Sequence, residues 1–239
     1  MTYTVEEVPA EDAAAAGASA RQRAAAALSR ATRNGAPADH RAALPDYRVQ
    51  QALEHWRRSV PDRFATATWS SVLAADPPID ARVLKEVGGW LDGPTGSLVL
   101  TGDVGVAKSY LASACCHELA VRRGWLCDFV PLGEFFEESR AGTRGTGPSA
   151  LDRYGRAHCL VLDDVASGRQ SLTEFEEDRL YLLVNRRWLD RRPTIVTTNL
   201  NLGAPLEGYL GVRIADRMKH ESLAVVMPGV SRRTDRFQS

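Results

Sequence analysis

Lysine is almost absent from this chain of 239 residues: only Lys85, Lys108 and Lys219 occur, and every other basic side chain is arginine. Basic and acidic residues balance at 30 each, so bulk electrostatics give no argument for nucleic acid. Long apolar runs are missing too, and nothing approaches the roughly 20 residues of a membrane span. The first twenty residues carry Glu6, Glu7, Glu11 and Asp12 and no basic residue, the reverse of a secretory signal. Cysteines are few, and Cys115, Cys116, Cys127 and Cys159 make no C-x-x-C pair. That argues against disulfides or zinc and for buried free thiols in a reducing compartment, hence a cytoplasmic protein with no membrane partner. Two hydrolase signatures also fail. "HELAV" (117–121) has Val121 where a zinc-protease helix needs its second histidine, and there is no Gly-x-Ser-x-Gly elbow.

What is present changes character near residue 61. Before it, residues 1–19 show no hydrophobic period. "ASARQRAAAALSRATRN" (18–34) favours helix by propensity, and "GAPADHRAALP" (35–45) reads as a linker. "DYRVQQALEHWRRS" (46–59) reads as an amphipathic helix with Tyr47, Val49, Leu53 and Trp56 roughly on one face. Residues 1–60 are therefore expected to be a partly disordered, helical, partner-binding region, with eight arginines between 21 and 60. Residues 61–239 alternate short apolar strands with helices. "SLVL" (97–100), "LCDFVPL" (126–132), "HCLVLDDV" (158–165), "PTIVTTN" (193–199) and "LAVVMPG" (223–229) read as strands. This alternation predicts a parallel sheet with helices on both faces.

One of the three lysines sits where it carries chemistry. "GDVGVAKSY" (102–110) lies between an apolar strand and a helix that opens at Lys108. A phosphate-binding loop has this context: backbone N–H groups and the helix N-terminus cradle phosphate, the lysine neutralises it, and the hydroxyl of Ser109 ligates Mg²⁺. The predicted nucleotide-binding residues are Gly102, Asp103, Val104, Gly105, Val106, Ala107, Lys108, Ser109 and Tyr110. Ala107 departs from the pattern, which asks for glycine so that the backbone can approach the phosphates. Retained but weakened binding is expected.

"CLVLDDV" ends an apolar strand on two carboxylates some fifty residues later. Asp163 would hold Mg²⁺ and Asp164 would orient the attacking water. "TIVTTN" ends at Asn199, which in a parallel sheet would share the crevice at the strand ends. Arg213 and Arg217 lie four apart on one helical face, and Arg232 and Arg233 follow the last strand.

From "RFATATW" (63–69) to "GVSRR" (229–233) the chain resembles the DnaC/IstB family of AAA+ ATPases, most specifically in "RLYLLVNRRWLDRRPTIVTTNLNL" (179–202) and "LGVRIADRM" (210–218). The resemblance implies a P-loop NTPase with strand order 5-1-4-3-2 and no C-terminal lid. It implies Asn199 at the sensor 1 position, Arg217 as arginine finger with Arg213 as the alternative, and Arg233 as the sensor 2 arginine. By the same resemblance the chain is an ATPase using ATP and Mg²⁺ that helps place a hexameric replicative DNA helicase on single-stranded DNA, assembling with other copies of itself. An IstB-type transposition helper and a non-hydrolysing nucleotide-binding adaptor are the alternatives. The expected DNA contact is "FFEESRAGTRGTG" (135–147), with Phe135 or Phe136 stacking on bases and Arg140 and Arg144 on phosphates.

Overall fold

The computed structural model describes residues 46–141, 148–166, 171–201, 203–229 and 231–232. The predicted helix over 18–34, Arg144 and Arg233 lie outside these residues. At the centre is a five-stranded sheet of β1 (Ser97–Thr101), β2 (Cys127–Pro131), β3 (Cys159–Val165), β4 (Thr194–Thr198) and β5 (Leu223–Val226). All four pairings are parallel. The order is β2-β3-β4-β1-β5, which from the other edge reads 5-1-4-3-2 as the resemblance implies.

The central strands are near-continuous apolar runs because both faces are covered. Leu98 and Leu100 of β1, Val161 of β3 and Ile195 of β4 face one core, with α3 (Ala81–Asp92) and α4 (Lys108–Arg123). Val99, Leu160, Leu162 and Val196 face the other, with α5 (Leu132–Ala141), α6 (Ala150–Arg156), α7 (Glu174–Leu189) and α9 (Val212–Lys219). The remaining helices are α1 (Asp46–Ser59), α2 (Trp69–Leu73) and α8 (Ala204–Leu210). Local chemistry sets the ends: Thr173 and Glu176 form a capping box that starts α7, and Gly124 in the left-handed region stops α4.

Two expectations change. The helix over 46–59 forms, but it belongs to the compact unit Leu44–Ser239 that contains the sheet. Trp56 Nε1 donates to the Ser113 carbonyl on α4 at 3.2 Å, His55 meets the buried Asp128 of β2 at 2.8 Å, and Phe129 N donates to Ser59 Oγ at 2.6 Å. Its buried positions are Ala52 and Trp56, while Tyr47 is exposed, because the helix is anchored through its C-terminal half. Residues 135–141 are likewise helical, and their spacing turns Phe135 and Phe136 into the core beside Tyr154. Neither ring is available to stack on a base. Arg140 is engaged as well, pairing with the buried Glu176 at 2.7 Å.

Arg187 on α7 ties together the strand-entry side of the second core. It is 1% exposed, yet its guanidinium reaches the carbonyls of Tyr154 (2.7 Å), Ala157 (3.0 Å) and Pro193 (2.6 Å) and the Thr194 hydroxyl (2.9 Å). Burial lowers its pKa to about 10, so it stays charged at neutral pH. Removing it takes a charged donor from four acceptors at once, of which Pro193 O keeps Leu160 N and Ala157 O keeps Arg192. Arg187→Met is expected to cost about 3 kcal/mol, read as a lower urea midpoint at unchanged m-value; an unchanged midpoint would show that water replaces the guanidinium.

Candidate nucleotide site

The loop after β1 carries the predicted glycine-loop residues into one turn. Gly102 and Gly105 have φ of 143° and 88°, and Ala107 has φ 73° and ψ 27°. Ala107 therefore stands in the left-handed region, where its Cβ crowds the following carbonyl at a cost of about 1–2 kcal/mol. The glycine of the usual pattern serves this backbone conformation as well as close approach. Ala107 is the N-cap of α4 and makes no side-chain cap, so the first-turn N–H groups stay available to an anion. Val106 is buried beneath the turn, while Asp103 and Val104 are exposed at its tip.

Lys108 is the focus. The residue is 8% exposed, and its ammonium donates to Gly102 O (2.7 Å), Asp103 O (2.8 Å) and Asn199 Oδ1 (2.6 Å). The loop lysine and the predicted sensor asparagine, 91 residues apart, are thus in direct contact. Tyr110 turns the other way, its hydroxyl meeting Ser71 Oγ at 2.8 Å.

The two carboxylates separate because β3 bulges. Leu162 pairs with Val196 but Val165 pairs with Thr198, so β3 holds one residue more than β4 over this span. Asp164 takes up the bulge at φ 58° and points outward, whereas Asp163 is 3% exposed. Thr197 of β4 locks the arrangement: its hydroxyl donates to Asp163 Oδ1 at 2.6 Å and accepts from Asp164 N at 2.9 Å. Burial raises the pKa of Asp163, hydrogen bonds from Thr197 and Ser109 oppose the rise, and the Asp164 charge adds to it. Thr197 was missed on sequence. The available signal was a second polar residue closing an otherwise apolar strand just ahead of Asn199.

Asp163 and Ser109 offer a carboxylate and a hydroxyl side by side, hard oxygen donors that fit Mg²⁺ shared with phosphates and water. Among the described residues no group of three or more His, Cys, Asp or Glu converges on a metal position.

Arg217 does not join this cluster. Its guanidinium lies 4.5 Å from the Trp188 ring centroid and donates to Asp216 (2.7 Å) and Asn185 (3.3 Å). With Gly96, Ser97 and Thr194 it lines a cleft of about 440 Å³ at the strand-entry edge. Lys108, Asp163 and Asn199 sit at the strand-exit edge, a strand of five residues away, or about 15 Å at roughly 3.3 Å per residue. Arg213 covers Tyr181 at 3.9 Å on the same side of α7.

The role of Thr197 can be tested on Asp163 itself. In Thr197→Val the Asp163 carboxyl loses a donor to its charged form, so its titration observed by carbon NMR moves to higher pH. Thr197→Ser keeps the donor and the parental titration. An unmoved midpoint in the valine variant would remove Thr197 from the site.

Comparison with known proteins agrees with this geometry. A segment of 131 residues is 30% identical to the replicative helicase loader DnaC of Escherichia coli K12, covering 54% of this chain and 52% of the loader. Another of 170 residues is 29% identical to an ATP-binding protein encoded in an insertion sequence of Mycobacterium tuberculosis, covering 66% and 64%. The chain thus spans about half the length of the loader and less than two thirds of the insertion-sequence protein. A crystal structure of the DnaC helicase loader matches with TM-score 0.60 at 19% identity, over 70% of this chain and 100% of that one, which shows the shared AAA+ P-loop fold. The family model for IstB-like ATP binding proteins matches residues 74–238, and the chain belongs to that family.

Proposed function

We propose that the protein is an ATP-hydrolysing loader that helps a hexameric replicative helicase onto single-stranded DNA in the cytoplasm. The observation that carries the nucleotide part is the meeting of Lys108, Asn199 and the loop carbonyls beside the Asp163–Ser109 pair. Lys108 exchanges loop carbonyls for β- and γ-phosphate oxygens. Asp163 and Ser109 would hold Mg²⁺, which when bound neutralises the charge that develops on the transferred phosphoryl. Asp164, outward on its bulge, orients the attacking water, and Asn199 reports whether the γ-phosphate is present. Arg217 is too far from its own chain's loop, so it serves the nucleotide of a neighbouring copy. Arg233, beyond the described residues, is proposed as the sensor 2 arginine.

The match to the DnaC loader supports a helicase as partner. The insertion-sequence relative aligns over more of this chain and supports the second reading, a transposition helper with the same ATPase core. Co-purification with candidate hexameric helicases, with and without ATP, separates the two, since a transposition helper retains none of them.

Two expected outcomes test the enzyme. Lys108→Ala loses most binding of a fluorescent ATP analogue, and unchanged affinity would sink the phosphate-loop reading. Arg217→Ala keeps binding and loses turnover, and mixing it with Asp164→Asn restores part of the ATPase rate at shared interfaces. Turnover that is independent of protein concentration and untouched by Arg217→Ala would instead mean a monomeric enzyme.

A further inference from the structure

We propose that Arg232 is a positioning residue of the nucleotide site, fastening the segment after β5 across the outer side of the phosphate loop. The proposal rests on the ATP reading above. The segment leaves β5 alongside β1, with Met227 N donating to Thr101 O at 2.7 Å. It then passes so close to the loop that a Cβ on Gly102 would overlap the Met227 carbonyl, and one on Gly105 would overlap the Ser231 hydroxyl. Arg232 N donates to Gly105 O at 2.9 Å. The guanidinium continues to the carbonyls of Pro77 and Pro78, the latter at 2.9 Å, in the stretch between α2 and α3. One residue therefore grips the loop with its backbone and a separate part of the fold with its side chain.

A reason for such a strap lies in the loop. Ala107 holds a left-handed conformation that an L side chain disfavours, and conformations of that kind persist only where surrounding contacts over-determine them. The strap supplies contacts at both ends of the turn, at Gly102 and at Gly105. A loop already held in its binding shape loses less freedom when phosphate arrives, so the fastening raises affinity without touching the nucleotide. The fork of the guanidinium spans two consecutive carbonyls, which a lysine ammonium can follow only in part.

The test is hydrogen exchange of the full nucleotide-free chain, with titration of a fluorescent ATP analogue alongside. Arg232→Ala is expected to speed exchange of the amides in 102–107 while leaving β3 and β4 as in the parent, and to weaken the analogue about fivefold. Arg232→Lys falls between the two. Unchanged loop exchange in Arg232→Ala overturns the proposal, even where affinity falls, because the arginine then acts on nucleotide directly. A uniform rise across the sheet overturns it as well, as general destabilisation. A parent that binds no analogue defeats the ATP reading instead, and loop exchange still decides the strap.

Discussion

The Lys108 ammonium is nearly buried, and the site depends on how its charge is held. Its acceptors come from two places in the sequence: two carbonyls in the loop after β1, and the Asn199 side chain just beyond β4. They converge because β1 and β4 are hydrogen-bonded neighbours in register, Thr101 opposite Thr198. A buried ammonium with three donors needs three acceptors, or it is costly to keep charged. The parallel sheet meets that need only in the order observed, since placing β4 elsewhere would remove Asn199. The same order brings β3 beside β4, where Thr197 fixes the two carboxylates.

This polarity also divides the molecule by task. The candidate phosphate-binding residues Lys108, Asp163 and Asn199 collect at the strand exits, and the arginine-lined cleft with Arg217 and Trp188 lies at the strand entries. A side chain cannot cross the sheet's own length, so on the proposed function Arg217 would serve the nucleotide of another copy. Helix α1 extends the fold at the β2 edge, gripping α4 one turn beyond Ser109 through Trp56 and the Ser113 carbonyl.

Much of this was legible in the sequence, for physical reasons that differ by element. Strands buried on both faces announce themselves as apolar runs, and all five appear within a residue or two of their expected ends except the last, whose strand closes at Val226. The loop, Asp163, Asp164 and Asn199 were legible because each polar residue interrupts or ends such a run. Phe135 and Phe136 misled, since adjacent phenylalanines in a polar stretch look exposed until helical spacing turns both inward. Thr197 was hidden because a buried hydroxyl in a strand is silent until its partners are seen. The β3 bulge was hidden for the same reason: register belongs to pairs of strands, not to one. The left-handed backbone at Ala107 is likewise a property of the turn that alanine does not advertise.

On the proposed function, Ala107 would strain the loop without disabling it. The direct measurement is the equilibrium affinity for ATP·Mg²⁺ of the parent and of Ala107→Gly under identical conditions. Relief of about 1–2 kcal/mol of backbone strain corresponds to roughly five- to thirtyfold at most. The strained turn is present without nucleotide as well, so binding of the parent is expected to be micromolar or weaker and the gain in the glycine variant to stay below that ceiling. A parent that does not bind, with tight binding appearing only in Ala107→Gly, would contradict it and identify the natural protein as one whose nucleotide site has been switched off.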